Sequence, residues 1–187
     1  MTKEEALKLV ADKIAACESC KYYPDQNPVP GEGNPDADIM FVGEAPGAKE
    51  NETGRPFVGA AGKFLEELLN SIGLERKDVF IANCLKYQPP GNRDPLPDEI
   101  THQLPFLDKQ IAIIKPKVII FLGRHAMKTI LPENEKVISE IHGQLVKKDD
   151  RHYIPMYHPA AALYRNSLKE EMFADFAKIP EYMDKIS

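Results

Sequence analysis

The sequence predicts an α/β fold of three layers (α/β/α), in which helices cover both faces of a central, mostly parallel sheet of four strands. Short apolar runs alternate with longer amphipathic segments, which is the pattern of strands that alternate with helices. The run at residues 117–122 (KVIIFL) is unbroken and apolar after Lys117, as expected for a parallel strand buried on both faces. A length of 187 residues suits a single domain, residues 1–187, with a sizeable core.

The first half of the chain is predicted to supply two helices and two strands. Thr2 and Glu5 form a capping box at the start of an N-terminal helix. A strand at residues 38–42 breaks at a glycine- and proline-rich turn, and an acidic segment then leads to an amphipathic helix at residues 60–72. The second strand, residues 79–85, runs into another proline- and glycine-rich loop.

The second half is predicted to continue the same alternation. Asp98 can cap a helix that reaches about Ile114, and the strand at residues 117–122 follows it. Four segments complete the chain: a short helix at 124–131, an extended stretch at 137–146, a strand at 152–157 and a terminal helix at 168–183 that Pro180 interrupts.

Composition and charge narrow the class of protein. Hydrophobic residues make up 43% and charged residues 28%, as in an ordinary soluble globular protein. No apolar run approaches the roughly 20 residues that cross a bilayer, and the N-terminus lacks the order of a signal peptide. We therefore expect a cytoplasmic protein with no membrane partner, and we also expect a monomer. The net charge of −5 argues against a general polyanion binder, although basic residues near predicted loops allow a local positive face.

Polar or unusual residues follow the carboxyl end of every predicted strand. In chain order these are Gly43 and Glu44, residues 83–86, residues 123–125, and His158 with Pro159. In an open parallel sheet, ligands bind in the crevice outside these carboxyl ends. The four strand ends are therefore predicted to converge on one site.

Several of these side chains have chemistry suited to a small ligand. Glu44 and Glu50 lie in a turn that lacks the Gly-Lys-Ser/Thr of a phosphate loop, so nucleotide hydrolysis is not expected. Phe57 is either a core residue or a platform on which a base stacks. Asn83 lies in an apolar strand, where its amide either caps the sheet backbone or reads a pyrimidine edge. His158 could donate to a carbonyl oxygen that gains charge.

Three motifs stand in order along the chain. The first is GEAPG at residues 43–47 with GRPFVGAAG at 54–62, the second is Asn83-x-x-Lys86 with PPGNR at 89–93, and the third is HPAAALYRN at 158–166. Together they resemble the family 4 (thermophile-type) uracil-DNA glycosylases over roughly residues 17–176. The resemblance implies the α/β/α fold and hydrolysis of the N-glycosidic bond between uracil and deoxyribose, the step that begins base-excision repair.

The resemblance also implies residue roles. Phe57 would stack on uracil, Asn83 would read its edge and His158 would donate to its O2. Glu44 and Glu50 would orient water or stabilise the cationic sugar. The expected catalytic set is Glu44, Glu50, Asn92 and His158, and the expected substrate-binding set is Gly43, Ala45, Phe57, Asn83 and His158.

The general base and the DNA contacts complete these expectations. Ala45 stands where the best-known uracil glycosylases carry a water-activating Asp, as is usual in family 4, so the identity of the base stays open. The partner implied is uracil-containing DNA, single- or double-stranded. Contacts with it are expected from Arg55, Gly62, Lys63, Arg124, Leu163 and Arg165.

One departure from the family concerns the [4Fe–4S] cluster that four cysteines hold in family 4. Cys17 and Cys20 match two ligands, whereas Tyr87 and Gln103 occupy the positions of the other two. We therefore predict no cluster and no other cofactor, with the Tyr87 loop held by packing and hydrogen bonds. A mixed Cys/His metal site that includes His102 is the alternative.

Two other functions remain open at the level of sequence. The missing cysteines suggest a module that binds uracil or damaged DNA without cutting it. A glycosylase for another deaminated base, such as xanthine or hypoxanthine, is the other alternative, although Asn83 favours uracil.

Overall fold

The sheet organises the fold, and a computed structural model describes it together with all residues from Met1 to Ser187. Its six strands are β1 (Glu32–Gly33), β2 (Ile39–Gly43), β3 (Phe80–Asn83), β4 (Val118–Leu122), β5 (Val146–Lys148) and β6 (Arg151–Met156). Their order across the sheet is β1-β3-β2-β4-β6-β5. The predicted number of four strands is therefore wrong. The additional strands, β1 and β5, have two and three residues, too few for a sequence pattern, and both pair antiparallel at an edge.

The four inner strands, β3, β2, β4 and β6, are the predicted ones, and they pair in parallel. Every residue of β2, β3 and β4 is buried, as expected for strands covered on both faces. The register sets Gly43 beside Asn83 and Leu122 beside Met156. All four carboxyl ends therefore lie along one edge of the sheet.

Nine helices surround the sheet. They are α1 (Lys3–Ala15), α2 (Ala48–Thr53), α3 (Ala60–Ser71), α4 (Pro97–Ile114), α5 (Arg124–Ile130), α6 (Ile138–Ile141), α7 (Pro159–Tyr164), α8 (Asn166–Phe176) and α9 (Ile179–Ile186). The predicted capping box of α1 is present, since the Thr2 hydroxyl accepts from the Glu5 amide at 3.1 Å. None of the nine combines the length and apolar composition that a membrane crossing requires.

Three segments differ from the prediction. The stretch at 137–146 is not extended throughout: it contains α6, because the Glu140 carboxylate accepts from the Val137 amide at 3.0 Å and closes a helical turn. Asp98 does not cap α4, which begins one residue earlier and uses the Glu99 carboxylate on the Leu96 amide at 2.8 Å. The terminal helix divides into α8 and α9 ahead of Pro180, which occupies the first turn of α9, where a missing N–H is tolerated.

The helices bury the two faces of the sheet in separate cores. On β2, Ile39 and Phe41 join one core with residues of α3, α7, α8 and α9. Met40 and Val42 join the other with residues of α4, α5 and α6. This alternation confirms the predicted three layers.

Candidate active site

The carboxyl ends of β2, β3 and β6 open onto a cavity of about 430 Å³. Seven of the residues that the sequence singles out line it: Glu44, Ala45, Glu50, Phe57, Asn83, Asn92 and His158. The fourth strand end, after β4, lies beside the cavity through Arg124 and His125 and does not line it. The structure thus brings most of the expected residues together from several separate segments of the chain.

Asn83 presents a buried acceptor that nothing in the protein satisfies. Its side chain is 2% exposed, and its Oδ1 has no hydrogen-bond partner, so the amide does not cap the sheet backbone. Gly43 does not line the cavity, but a Cβ there would lie 2.4 Å from Asn83 Oδ1 and 2.6 Å from Phe57 Cζ. Gly43 therefore serves the site by having no side chain, which lets Asn83 and Phe57 approach each other.

Lys86 supports Asn83 from behind the cavity. This lysine is fully buried, and its Nζ donates to the Asn83 carbonyl and to Gln110 Oε1, both at 2.8 Å. Burial lowers the pKa of Lys86 to about 7. The contact fixes the end of β3 and hence the direction of the Asn83 side chain.

Phe57 is both a core residue and a wall of the cavity. It is 5% exposed, packs in the core that contains Phe41, and its ring centroid lies 5.6 Å from that of His158. Its φ of 51° is unusual for a residue with a side chain, and its carbonyl accepts from Arg76 Nη1 at 2.8 Å. A Cβ at Gly62 would lie only 1.8 Å from this carbonyl. Gly62 is therefore buried beneath Phe57, which removes the reason to expect a DNA contact from it.

His158 is held with a defined tautomer at the start of α7. Its Nδ1 accepts from the Ala160 amide at 3.1 Å, so the proton of the neutral ring lies on Nε2. Burial lowers the pKa of His158 to about 4, against a smaller opposite effect of Glu50. At neutral pH the ring is therefore uncharged and offers an N–H from Nε2.

Glu50 holds the loop that carries Phe57. Its Oε1 accepts from the amides of Val58 at 3.0 Å and Gly59 at 3.3 Å, and its Oε2 accepts from the Gly47 amide at 3.1 Å. Three backbone donors occupy both of its oxygens. Glu50 thereby ties the turn after β2 to the loop that carries Phe57.

Glu44 is the cavity carboxylate whose oxygens accept no hydrogen bond from the protein. Burial raises the pKa of Glu44, with His125 acting in the opposite direction. His125 Nε2 lies 3.8 Å from Glu44 Oε2. The three motifs do not include His125, and the polar end of β4 was the sequence signal that could have found it.

Asn92 and Arg93 form the rim of the cavity. Asn92 has a φ of 54°, and its Oδ1 accepts from Gln88 Nε2 at 2.8 Å. Arg93 lines the cavity although it was not among the expected site residues, and its Nη1 donates to Glu99 Oε2 at 3.0 Å. The PPGNR motif was the available signal for it.

The remaining residues expected to contact DNA lie on the surface. Lys63, Arg124, Leu163 and Arg165 are exposed. Arg55 is also exposed but is engaged by Glu32, with 2.8 Å between Arg55 Nε and Glu32 Oε2. Tyr164, beside Leu163, is 88% exposed and was not anticipated from the sequence.

The residues at the family's cluster positions do not fit a [4Fe–4S] cluster, which normally requires four thiolates. Cys17 and Cys20 are joined in a disulfide. Tyr87 is fully buried, and its hydroxyl donates to the Ile14 carbonyl at 2.7 Å. Gln103 Oε1 accepts from the backbone amide of Lys86 at 2.7 Å. Tyr87 and Gln103 therefore connect the loop after β3 to α1 and α4 by protein contacts.

His102 is the remaining metal-binding side chain near the two cysteines. Its Nε2 lies 3.6 Å from Cys17 Sγ and 2.8 Å from Ser19 Oγ. A sulfur in a disulfide is not the thiolate that a metal ion requires. The ligand atoms of Cys17, Cys20 and His102 lie within 4.8 Å of one another, but the two sulfurs are paired with each other and are not thiolates.

The comparisons with known proteins agree with this geometry. Residues 30–180 match the family model of the uracil DNA glycosylase superfamily. The type-4 uracil-DNA glycosylases of Sulfurisphaera tokodaii and Saccharolobus solfataricus are 48% and 46% identical to the chain, over 95% and 94% of its length and 84% and 85% of theirs. That of Archaeoglobus fulgidus is 44% identical, over 97% of the chain and 95% of the relative. The chain therefore belongs to the uracil DNA glycosylase superfamily and, within it, to the type-4 uracil-DNA glycosylases.

Proposed function

We propose that the protein hydrolyses the N-glycosidic bond of deoxyuridine in DNA, releasing uracil and leaving an abasic site for base-excision repair. The observation that carries the proposal is Asn83 Oδ1, a buried acceptor without a partner in the cavity that Phe57 and His158 also line. A buried polar atom left unpaired costs about 1–3 kcal/mol, and a ligand that donates to it removes that cost. The names of the type-4 relatives support uracil in DNA as the substrate.

The pocket has the donors and acceptors that distinguish uracil from cytosine. Uracil N3–H supplies the donor that Asn83 Oδ1 lacks, and the Asn83 amide N–H group can donate to uracil O4. Cytosine presents an acceptor at N3 and a donor at N4, so both contacts fail. Phe57 offers a stacking surface for the base, which must leave the DNA helix to reach it.

Cleavage of the glycosidic bond uses the N–H donor of His158 and the carboxylate of Glu44. As the C1′–N1 bond breaks, its electron pair moves onto the base, and the Nε2–H of His158 donates to uracil O2, where negative charge develops. A water oxygen bonds to C1′, and Glu44 accepts the proton that this water loses. The uracil anion then takes a proton from solvent, so one water is consumed for each base released.

The proposed DNA-binding surface of the protein surrounds the mouth of the cavity. Lys63, Arg124 and Arg165 supply positive charge for the phosphates. Leu163 and Tyr164 project from the end of α7, the helix that His158 begins, and are 44% and 88% exposed. We assign these two side chains to the space that the extruded nucleotide leaves. The enzyme acts as a cytoplasmic monomer on single- or double-stranded DNA, and no cluster takes part.

A glycosylase assay with iron and sulfide analysis of the same sample tests the proposal. We expect abasic product from oligonucleotides that contain one uracil and none from the matched thymine oligonucleotides, in protein without iron. Asn83→Ala should lower kcat/KM roughly 30- to 1,000-fold, which corresponds to about 2–4 kcal/mol of lost transition-state stabilisation. Asn70→Ala, on the exposed side of α3, is the matched control and should leave kcat/KM unchanged.

Other outcomes would favour the rival functions. Tight binding of uracil-containing DNA without product would indicate a binding module. Faster release of xanthine or hypoxanthine than of uracil would indicate a different base specificity. Stoichiometric iron with acid-labile sulfide would contradict the absence of a cluster.

A further inference from the structure

Glu44 has a neighbour outside the three motifs, the imidazole of His125 in the first turn of α5. His125 Nε2 lies 3.8 Å from Glu44 Oε2 and 3.6 Å from Asp94 Oδ1, and Arg124 Nε donates to the same nitrogen at 3.3 Å. Glu44 follows β2, Asp94 lies in the loop before α4, and Arg124 belongs to α5. These three charged groups surround the imidazole.

We propose that His125 is a positioning residue that, once protonated, keeps Glu44 ionised and directed at the water in the cavity. The inference rests on the proposed glycosylase function and deepens it. It supplies a partner for the Glu44 carboxylate in a site where position 45 is alanine and has no acid to offer.

The geometry gives His125 two alternative sets of partners. Nε2 cannot accept from Arg124 and donate to a carboxylate at the same time, because it has one position for a proton or a lone pair. In the neutral ring that accepts from Arg124, the proton lies on Nδ1. In the protonated ring both nitrogens carry a proton, and Nε2–H lies between Glu44 and Asp94. Protonation therefore exchanges the Arg124 contact for an attraction to the carboxylates.

Ionised Glu44 is the form that the chemistry requires, because a protonated carboxyl cannot accept the proton of the attacking water. Burial raises the pKa of Glu44, and the oxygens of Glu50 already accept from three backbone amides. Histidine is the side chain whose charge ordinarily changes between pH 5 and 8. A positive charge on His125 opposes the protonation of Glu44.

Asp94 acts on Glu44 in the opposite direction. Its negative charge raises the pKa of Glu44, and it also competes for the Nε2–H of His125. Removing the charge at Asp94 and removing the charge at His125 should therefore move the pH dependence of the reaction in opposite directions. This difference in sign separates an electrostatic role from a packing role.

The test is the pH profile of the single-turnover rate, measured with enzyme in saturating excess over uracil-containing DNA. For His125→Gln we expect the acid limb to move up by about 0.5–1 pH unit, because the pair is partly exposed. The loss of rate should therefore be greatest at acid pH. For Asp94→Asn the acid limb should move down. His152→Gln, at the opposite end of the sheet on β6, is the matched control and should reproduce the wild-type profile.

Three results would overturn the inference while the proposed function stands. The first is a profile of His125→Gln that superimposes on the wild type. The second is a uniform loss of rate at every pH with the acid limb unmoved, which would indicate a purely structural role. The third is a shift of the limb in the same direction in Asp94→Asn and His125→Gln. If the wild-type protein releases no uracil at any pH, the proposed function fails and the inference with it.

Discussion

Replacing His158 by Gln tests how far burial disfavours the charged form of this ring. In the folded protein the pKa of His158 falls to about 4, whereas an unfolded histidine has a pKa of about 6.5. Between these values the unfolded chain binds the proton more readily, so lowering the pH favours unfolding. The stabilising effect of the neutral ring is fully present above pH 6.5 and is lost as the pH falls toward 4.

The size of this effect follows from the two pKa values. One pKa unit corresponds to about 1.4 kcal/mol. Between pH 7 and pH 4.5, His158 should lower the free energy of unfolding of the wild type by about 2.5 kcal/mol. His158→Gln removes this contribution, while all carboxyl groups titrate alike in both proteins.

Urea unfolding of both proteins at pH 7 and pH 4.5 measures the difference. From pH 7 to 4.5 the unfolding midpoint of the wild type should fall by about 1 M more than that of His158→Gln, for an m-value of about 2–3 kcal/mol/M. His152→Gln is the control and should keep the wild-type pH dependence. Equal shifts in His158→Gln and the wild type would refute the reasoning, since they would mean that His158 is not desolvated in the folded state.

Three further substitutions have defined outcomes. Gly43→Ala places a methyl carbon 2.4 Å from Asn83 Oδ1, so the rate of uracil release should fall at least about tenfold, the equivalent of 1.4 kcal/mol. The circular dichroism spectrum should change little, and wild-type kinetics would contradict the close packing. Tyr87→Phe removes the hydrogen bond to the Ile14 carbonyl. It should lower the free energy of unfolding by about 1–2 kcal/mol and Tm by roughly 2–8 °C, while the activity at 25 °C persists. An unchanged Tm would show that the bond does not hold the loop. Glu50→Gln leaves one acceptor oxygen for three amides. It should lower kcat/KM roughly 5- to 30-fold, which corresponds to about 1–2 kcal/mol of lost transition-state stabilisation. A shift of the acid limb of the pH profile instead would indicate that Glu50 accepts the proton of the attacking water.

The sequence predicted the layers and the inner sheet because both depend on local apolar patterns. Residues 118–122 of the predicted run form a buried central strand, and β2 alternates its side chains between the two cores, as the apolar runs indicated. The edge strands were missed because β1 and β5 are too short for a period of two to show. Asp98 was misread as a cap because Glu99, one residue further on, satisfies the Leu96 amide instead.

The sequence by itself determined most of the residues that meet at the cavity. Parallel strands place their carboxyl ends on one edge, and this rule alone brought Glu44, Asn83 and His158 together. The motifs added Phe57 and Asn92, and the cysteine count showed that a four-thiolate cluster lacks its ligands.

Only the tertiary structure decided which contacts each of these residues makes with its neighbours. The oxygens of Glu50 accept hydrogen bonds from three backbone amides of two different turns, whereas those of Glu44 accept none from the protein. Gly62 became a support for Phe57, and His125 arrived beside Glu44 from a different strand end. Periodicity records which side chains are buried, because burial repeats with the geometry of a helix or strand. Hydrogen-bond partners and charges within 4 Å depend on which loops fold against each other, and that information does not repeat along the chain.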